Sequence, residues 1–229
     1  MIVDTFYILD FDRCLGDTTK LQQELERAIE RKTSINPEQL ALARREVELS
    51  GGSFDAATYV QGVLKESKTN TTWGEICQDM ISRARESDML EPGAGDLIDA
   101  LRGRDEKFGI LTYGGAEWQH TKLAAAHMED LPVVITDDPG KGRIIASWKT
   151  SEDIFLIPKD LSGEEGMTAR KIVLIDDKAL SFWGIPSGVS GFHVLRSDRK
   201  VMPSQQGDLP DGVVRVDGLI KIIELLYSK

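Results

Sequence analysis

Apolar positions along this chain follow two periods. Phe6-Tyr7-Ile8-Leu9 is a short continuous apolar run, the pattern of a strand buried on both faces. From residue 19 to residue 89 the spacing becomes helical. Leu21, Leu25, Ala28 and Ile29 share one face, and Leu40 and Val47 follow Asn36-Pro37, a helix start with proline first. Tyr59, Val63 and Leu64 mark a third helix, and Trp73, Ile76, Met80 and Ile81 a fourth. Gly51-Gly52-Ser53 reads as a turn within this block.

Beyond the helical block the pattern alternates. Strands are expected at 108–112, 132–136, 171–175, 192–195 and 213–216. Helices are expected at 117–128, at 151–157 with Ser151 as cap, and at 219–227 with Asp217 as cap. Strands alternating with helices imply an α/β fold, a Rossmann-like doubly wound parallel sheet covered on both faces. The expected organisation is a core of residues 1–16 and 90–229 interrupted by a helical insertion over 17–89. No internal repeat or low-complexity segment occurs.

Composition narrows the function classes. Of 229 residues, 41% are apolar and 29% charged, ordinary for a globular protein. The formal net charge of −10 opposes a broad nucleic-acid footprint, which needs clustered Lys and Arg. It leaves room for a small phosphorylated ligand, because a local ring of cations or a metal overrides the global field. No apolar stretch reaches the roughly 18 residues of a membrane span. The N-terminus has no basic region or small-residue cleavage site, so no secretory signal and a cytoplasmic location are expected. Cys14 and Cys77 are the only cysteines, too few for a disulfide framework or a cysteine-built metal site.

In an open parallel sheet, ligands bind beyond the carboxyl ends of the strands. The first strand ends in Asp10-Phe11-Asp12, the strand at 108 in Thr112-Tyr113-Gly114-Gly115, and the strand at 171 in Asp176-Asp177. Between the last two lies Trp148-Lys149-Thr150, ahead of an expected helix. A parallel sheet brings these groups to one edge. Crowded carboxylates raise one another's pKa, and a divalent cation removes that penalty. Hard oxygen ligands in small number suit Mg²⁺, which keeps waters and accepts phosphate oxygens. An Asp nucleophile beside an Asp acid/base would then allow a phospho-aspartyl intermediate.

These residues resemble the haloacid dehalogenase superfamily of hydrolases over nearly the whole chain. Asp10-Phe11-Asp12 resembles its Asp-x-Asp motif, Thr112 its strand-end Thr or Ser, and Asp176-Asp177 its final acidic pair. "WKTSEDIF" resembles its lysine motif, which would put that role on Lys149 rather than on the competitors Lys141, Lys159 and Lys171. The resemblance implies a haloacid dehalogenase-like core with a helical cap inserted after the first motif. It implies Asp10 as nucleophile and Asp12 as the group that protonates the leaving group and then activates water. Thr112, Gly114 and Lys149 would bind the phosphoryl group, with Arg13 contacting substrate. Mg²⁺ would be held by Asp10, the main-chain carbonyl of Asp12, and Asp176 or Asp177. The second aspartate favours a phosphatase over a dehalogenase, which lacks it. The reaction expected is Mg²⁺-dependent hydrolysis of a small phosphorylated metabolite.

Two positions depart from the family pattern. Residue 13 is commonly Gly and is Arg13 here; residue 14 is commonly Thr or Val and is Cys14 here. They motivate the alternative of a catalytically weak binding or regulatory protein on the same fold. Transfer to an acceptor other than water is a third reading. Cys14 reads as a small buried residue, and His120, His127 and His193 lack metal-ligand spacing.

Overall fold

The structure is a computed structural model that describes residues 1–50, 52–67 and 69–227. Gly51 of the expected turn lies outside them. The described chain divides into two compact units. One comprises Met1–Leu15, Glu91–Thr112 and Leu131–Lys229; the other comprises Gly16–Leu90 and Tyr113–Asp130.

The first unit is built on seven strands: β1 (Ile2–Leu9), β2 (Lys107–Tyr113), β3 (Val133–Thr136), β4 (Phe155–Leu156), β5 (Thr168–Asp176), β6 (Val189–Val194) and β7 (Val213–Val216). Their order is β3-β2-β1-β5-β6-β7, with β4 beside β5. β1 pairs in parallel with β2 and β5, and β6 pairs in parallel with β5 and β7. The sequence of strand and helix is therefore that of an α/β fold wound outward from β1. Alternate residues of β1 and β5 face opposite ways. Phe6, Ile8, Ile172 and Leu174 join one core cluster with Leu111, Phe155 and Phe182, while Tyr7, Leu9, Val173 and Ile175 are also buried. Burial of both faces is why these strands read as unbroken apolar runs.

Helices α5 (Ala94–Gly103), α7 (Lys141–Ser147), α8 (Lys159–Ser162) and α9 (Leu219–Tyr227) belong to this unit. The expected helix at 151–157 is not formed. Its phenylalanine lies in β4, antiparallel to β5 with Phe155 opposite Ala169. Thr150 N–H donates to Ile154 O at 2.8 Å and Asp153 takes a φ of 64°, a left-handed turn that stops a helix there. The helix of this region lies earlier, at α7, directly after the breaker Pro139-Gly140. Asp217 does not serve as the expected cap: its carboxylate accepts from the backbone N–H and hydroxyl of Ser197, each at 2.8 Å.

The second unit contains α1 (Thr18–Lys32), α2 (Pro37–Leu49), α3 (Ala56–Ser67), α4 (Trp73–Ala84) and α6 (Ala116–Ala125). Asp17 caps α1 by accepting from Lys20 N–H, and Pro37 opens α2 as its position suggests. The periodic residues Leu21, Leu25, Ala28 and Ile29 form the buried face of α1. Buried Glu24 accepts from Arg31 at 2.7 Å, and Arg31 also meets Asp79 at 2.7 Å, which ties α1 to α4. Trp73 and Trp118 meet edge to face, joining α4 to α6. Among the described residues no helix is long and apolar enough to cross a membrane.

Candidate active site

The pairing register carries the acidic residues to one edge of the sheet. Leu9 pairs with Ile110 on one side and Ile175 on the other. The next residue, Asp10, therefore stands beside Asp176, and Thr112 emerges at the same edge from β2. Asp10 N–H donates to Ile175 O at 2.9 Å, which continues the ladder by one bond. Asp10, Asp176 and Asp177 are all buried, and each offers an oxygen within 4.8 Å of the others.

The ammonium at this cluster is that of Lys141, not Lys149. Lys141 is 2% exposed and donates to Asp176 Oδ2 at 2.6 Å and to Asp10 Oδ1. Lys149 instead donates to the carbonyl and hydroxyl of Ser187 at 2.8 and 2.6 Å and pairs with Asp153. The cause is the shifted helix. Lys141 opens α7, whereas Lys149 follows its C-terminus. Gly142 lets this helix start approach closely, since a Cβ there would sit 2.4 Å from the Trp183 carbonyl. The signal in the sequence was Pro139-Gly140 just before Lys141.

Charge balance explains the protonation behaviour. Burial pushes the Asp10 carboxyl up to about 6, against the pull of Lys141 and with Asp176 pushing further upward. Burial and then Asp10 push Asp177 up to about 8. Burial alone would depress Lys141, but Asp10 and Asp176 outweigh it and hold the ammonium above its ordinary range. Lys178, half-buried, is likewise raised by Asp177, Asp10 and Asp176 despite its burial. Cys14, fully buried beside this cluster, has its thiol pushed well up by burial and then by Asp10, Asp176 and Asp177. It is a protonated packing residue, not a nucleophile.

Several polar atoms at this edge accept or donate no hydrogen bond within the protein: Asp10 Oδ2, Asp177 Oδ1 and Thr112 Oγ1. Orphaned buried oxygens on two members of an acidic trio are what a bound cation would satisfy. The cluster thus fits a divalent metal held by Asp10, Asp176 and Asp177. The carboxylate of Asp12 is not part of the trio, though it is near enough for its charge to raise Asp10. Arg13 adopts a φ of 60°, a conformation that glycine takes most easily and that explains why glycine suits this position. Gly114 belongs to the helical unit. Its φ of 146° and the 2.8 Å from a Cβ to Gln119 Nε2 leave no room for a side chain.

Sequence patterns did not single out the neighbours of Asp177. Gln205 Nε2 donates to Asp177 Oδ2 at 2.8 Å. Buried His193 has Nε2 at 2.9 Å from Asp177 O, while Arg215 Nε donates toward His193 Nδ1 at 3.4 Å. That pairing assigns the proton to Nε2. These partners come from β6, β7 and the segment between them, so only the folded sheet brings them to Asp177 and to its neighbour His193.

No protein-family model matches the sequence, and no curated protein matches it. Solved structures do. A haloacid dehalogenase-like hydrolase from Burkholderia xenovorans superposes with a TM-score of 0.63 at 18% identity, over 97% of this chain and 96% of that one. The chain has the haloacid dehalogenase-like fold. The L-2-haloacid dehalogenase of Xanthobacter autotrophicus matches at TM-score 0.55 and 14% identity, over 98% of both chains. The HAD-hydrolase YfnB of Bacillus subtilis, solved bound to magnesium, matches at 0.53 and 15%, over 99% of both. Within the haloacid dehalogenase-like fold described here, the acidic trio lies at the carboxyl edge of the central strands β1 and β5.

Proposed function

We propose that the protein is a Mg²⁺-dependent phosphoric monoester hydrolase acting on a small phosphorylated metabolite through a phospho-aspartyl intermediate. The observation that carries the reading is the buried trio Asp10, Asp176 and Asp177, with one oxygen of Asp10 held by Lys141 and the other unpartnered. The unpartnered Oδ2 suits a nucleophile. It attacks phosphorus as the ester oxygen leaves, and Asp12 delivers the proton to that oxygen. Asp12 then removes a proton from water, which attacks the phospho-aspartate and frees inorganic phosphate. Lys141 holds Asp10 charged and oriented, and the unpartnered Thr112 hydroxyl is suited to donate to a phosphoryl oxygen. Bound Mg²⁺, held by Asp10, the Asp12 carbonyl and Asp176 or Asp177, would neutralise the carboxylates and the phosphate oxygens.

A dehalogenase shares the fold, and the second aspartate Asp12 is what favours phosphoryl chemistry over carbon–halogen cleavage. The helical residues 17–89 are in this proposal a separate cap domain that takes part in substrate selection. The experiment is a panel of aryl and metabolite phosphates with Mg²⁺ or EDTA, with 2-chloropropionate in parallel. Phosphate release with Mg²⁺, abolished by EDTA, is expected. Chloride release, or no phosphate release across the panel, overturns the proposal.

A further inference from the structure

Asp177 is held at two points by partners from outside its own strand. β5 ends at Asp176, so the strand ladder does not set the side chain of Asp177. His193 Nε2 lies 2.9 Å from the Asp177 carbonyl and holds the main chain. Gln205 Nε2 donates to Asp177 Oδ2 at 2.8 Å and holds the side chain. Asp177 Oδ1 has no hydrogen-bond partner among the described residues. A carboxylate is planar, so a bond to one oxygen restricts where the other can lie. Asp176 differs: its Oδ2 accepts from Lys141 at 2.6 Å and its Oδ1 from the Lys178 N–H at 2.8 Å. Within the trio, Asp10 Oδ2 and Asp177 Oδ1 are the oxygens left over.

Gln205 is itself held so that its amide can only donate to Asp177. It ends a 3-10 turn, Pro203–Gln205, and is 8% exposed. Its Oε1 accepts from the Met202 backbone N–H at 2.8 Å, and its own backbone N–H donates to Met202 O at 3.0 Å. A backbone N–H has only a donor to offer, so the amide oxygen must face Met202 and the amide nitrogen must face Asp177. Turning the amide over would set donor against donor at Met202 and acceptor against acceptor at Asp177. Pro203 fixes one backbone angle of the same turn. The donor is therefore oriented by its local sequence before any ligand arrives.

We propose that Gln205 is a positioning residue for the cation site: it commits Asp177 Oδ2 to the protein and leaves Oδ1 to meet Mg²⁺. The inference rests on the Mg²⁺-binding part of the proposed function and adds to it a residue from the segment between β6 and β7. Partners that orient a metal-binding carboxylate in this way typically change metal affinity about 10–100-fold when removed.

The test is a double-mutant cycle read by Mg²⁺ binding to the full chain, measured as the rise in melting temperature with added Mg²⁺. Gln205→Met keeps the length of the side chain and removes the donor; it should weaken Mg²⁺ binding about 10–100-fold. In the Asp177→Asn background the same change should alter Mg²⁺ affinity less than about twofold, because the carboxylate it acts through is gone. Pro203→Ala, which loosens the turn and keeps the donor, should leave Mg²⁺ affinity within about twofold of wild type. With an aryl phosphate, the Mg²⁺ concentration for half-maximal turnover should rise in Gln205→Met by the same factor as the binding constant, with the substrate KM at saturating Mg²⁺ within about twofold. If Gln205→Met does not melt cooperatively, Gln205→Ala takes its place in the cycle. Equal losses in the wild-type and Asp177→Asn backgrounds would show a general effect on the fold and overturn the proposal. Unchanged Mg²⁺ binding in Gln205→Met overturns it as well, and the Mg²⁺-dependent reading then stands. If the wild type binds Mg²⁺ but hydrolyses no phosphate ester, the phosphatase reading fails and the cycle still decides the role of Gln205. A wild type that binds no Mg²⁺ overturns both.

Discussion

Replacing Lys141 by Met is the sharpest perturbation of this site. Met is similar in length and fills the channel of the lysine stem, so the change removes charge and little volume. In the native protein the ammonium is 2% exposed and serves Asp10 and Asp176 together. Removing one partner of a buried ion pair costs about 3–5 kcal/mol, because the charge left behind is desolvated and unanswered. Asp10 already sits at about 6. Without the lysine it is pushed higher and takes up a proton near neutral pH, which places the expected loss at the lower end, about 3 kcal/mol. The assay is urea unfolding in EDTA at pH 7. Added Mg²⁺ should recover part of the loss by replacing the missing positive charge. Turnover of an aryl phosphate should fall about 10²–10³-fold, the usual cost of losing a preorganised electrostatic group. Lys149→Met is the control. Its ammonium meets Ser187 and a mostly exposed Asp153, an interaction of about 0–1 kcal/mol, and its turnover should change less than about threefold. Loss of turnover in Lys149→Met, with Lys141→Met active and stable, would refute this assignment.

Other outcomes follow from the same geometry. In EDTA, stability should decline from about pH 4 through pH 8. The folded-state pKa values of Asp10 and Asp177 are raised, so their contribution is full below the unfolded carboxylate pKa and is lost as pH rises through about 6 and about 8. Mg²⁺ should flatten that profile and Asp177→Asn should remove its upper part; thermal melts from pH 4 to 9 that are flat in EDTA would contradict the charge balance described. Asp10→Asn should cut turnover at least about 10³-fold while circular dichroism and melting stay native-like. Gly142→Ala should destabilise by about 1–3 kcal/mol in urea, since its Cβ meets the Trp183 carbonyl at 2.4 Å and the start of α7 must shift. An unchanged unfolding midpoint would show that α7 packs more loosely.

Much of this architecture is legible in the amino-acid sequence. The apolar runs of β1, β2 and β5 announce themselves because strand stretches buried on both faces must be apolar without interruption. The helices over 18–84 do so because burial of one face imposes a period near 3.6. Asp10, Thr112 and Asp176-Asp177 are legible for a related reason: polar residues that directly end buried strands must lie at the sheet's edge.

The tertiary structure alone decided which lysine answers the carboxylates. Lys141 and Lys149 are eight positions apart and each lies beside plausible helix signals. The competition was settled by long-range packing. Phe155 is buried against β5 as a strand, which removes the helix expected after Lys149, and Gly142 fits under the Trp183 carbonyl, which holds Lys141 at the carboxylates. The partners Gln205, His193 and Arg215 were hidden for the same reason. Each reaches Asp177 or its neighbour across 16 to 28 positions of chain, and no local pattern records contacts made only when separate strands pair.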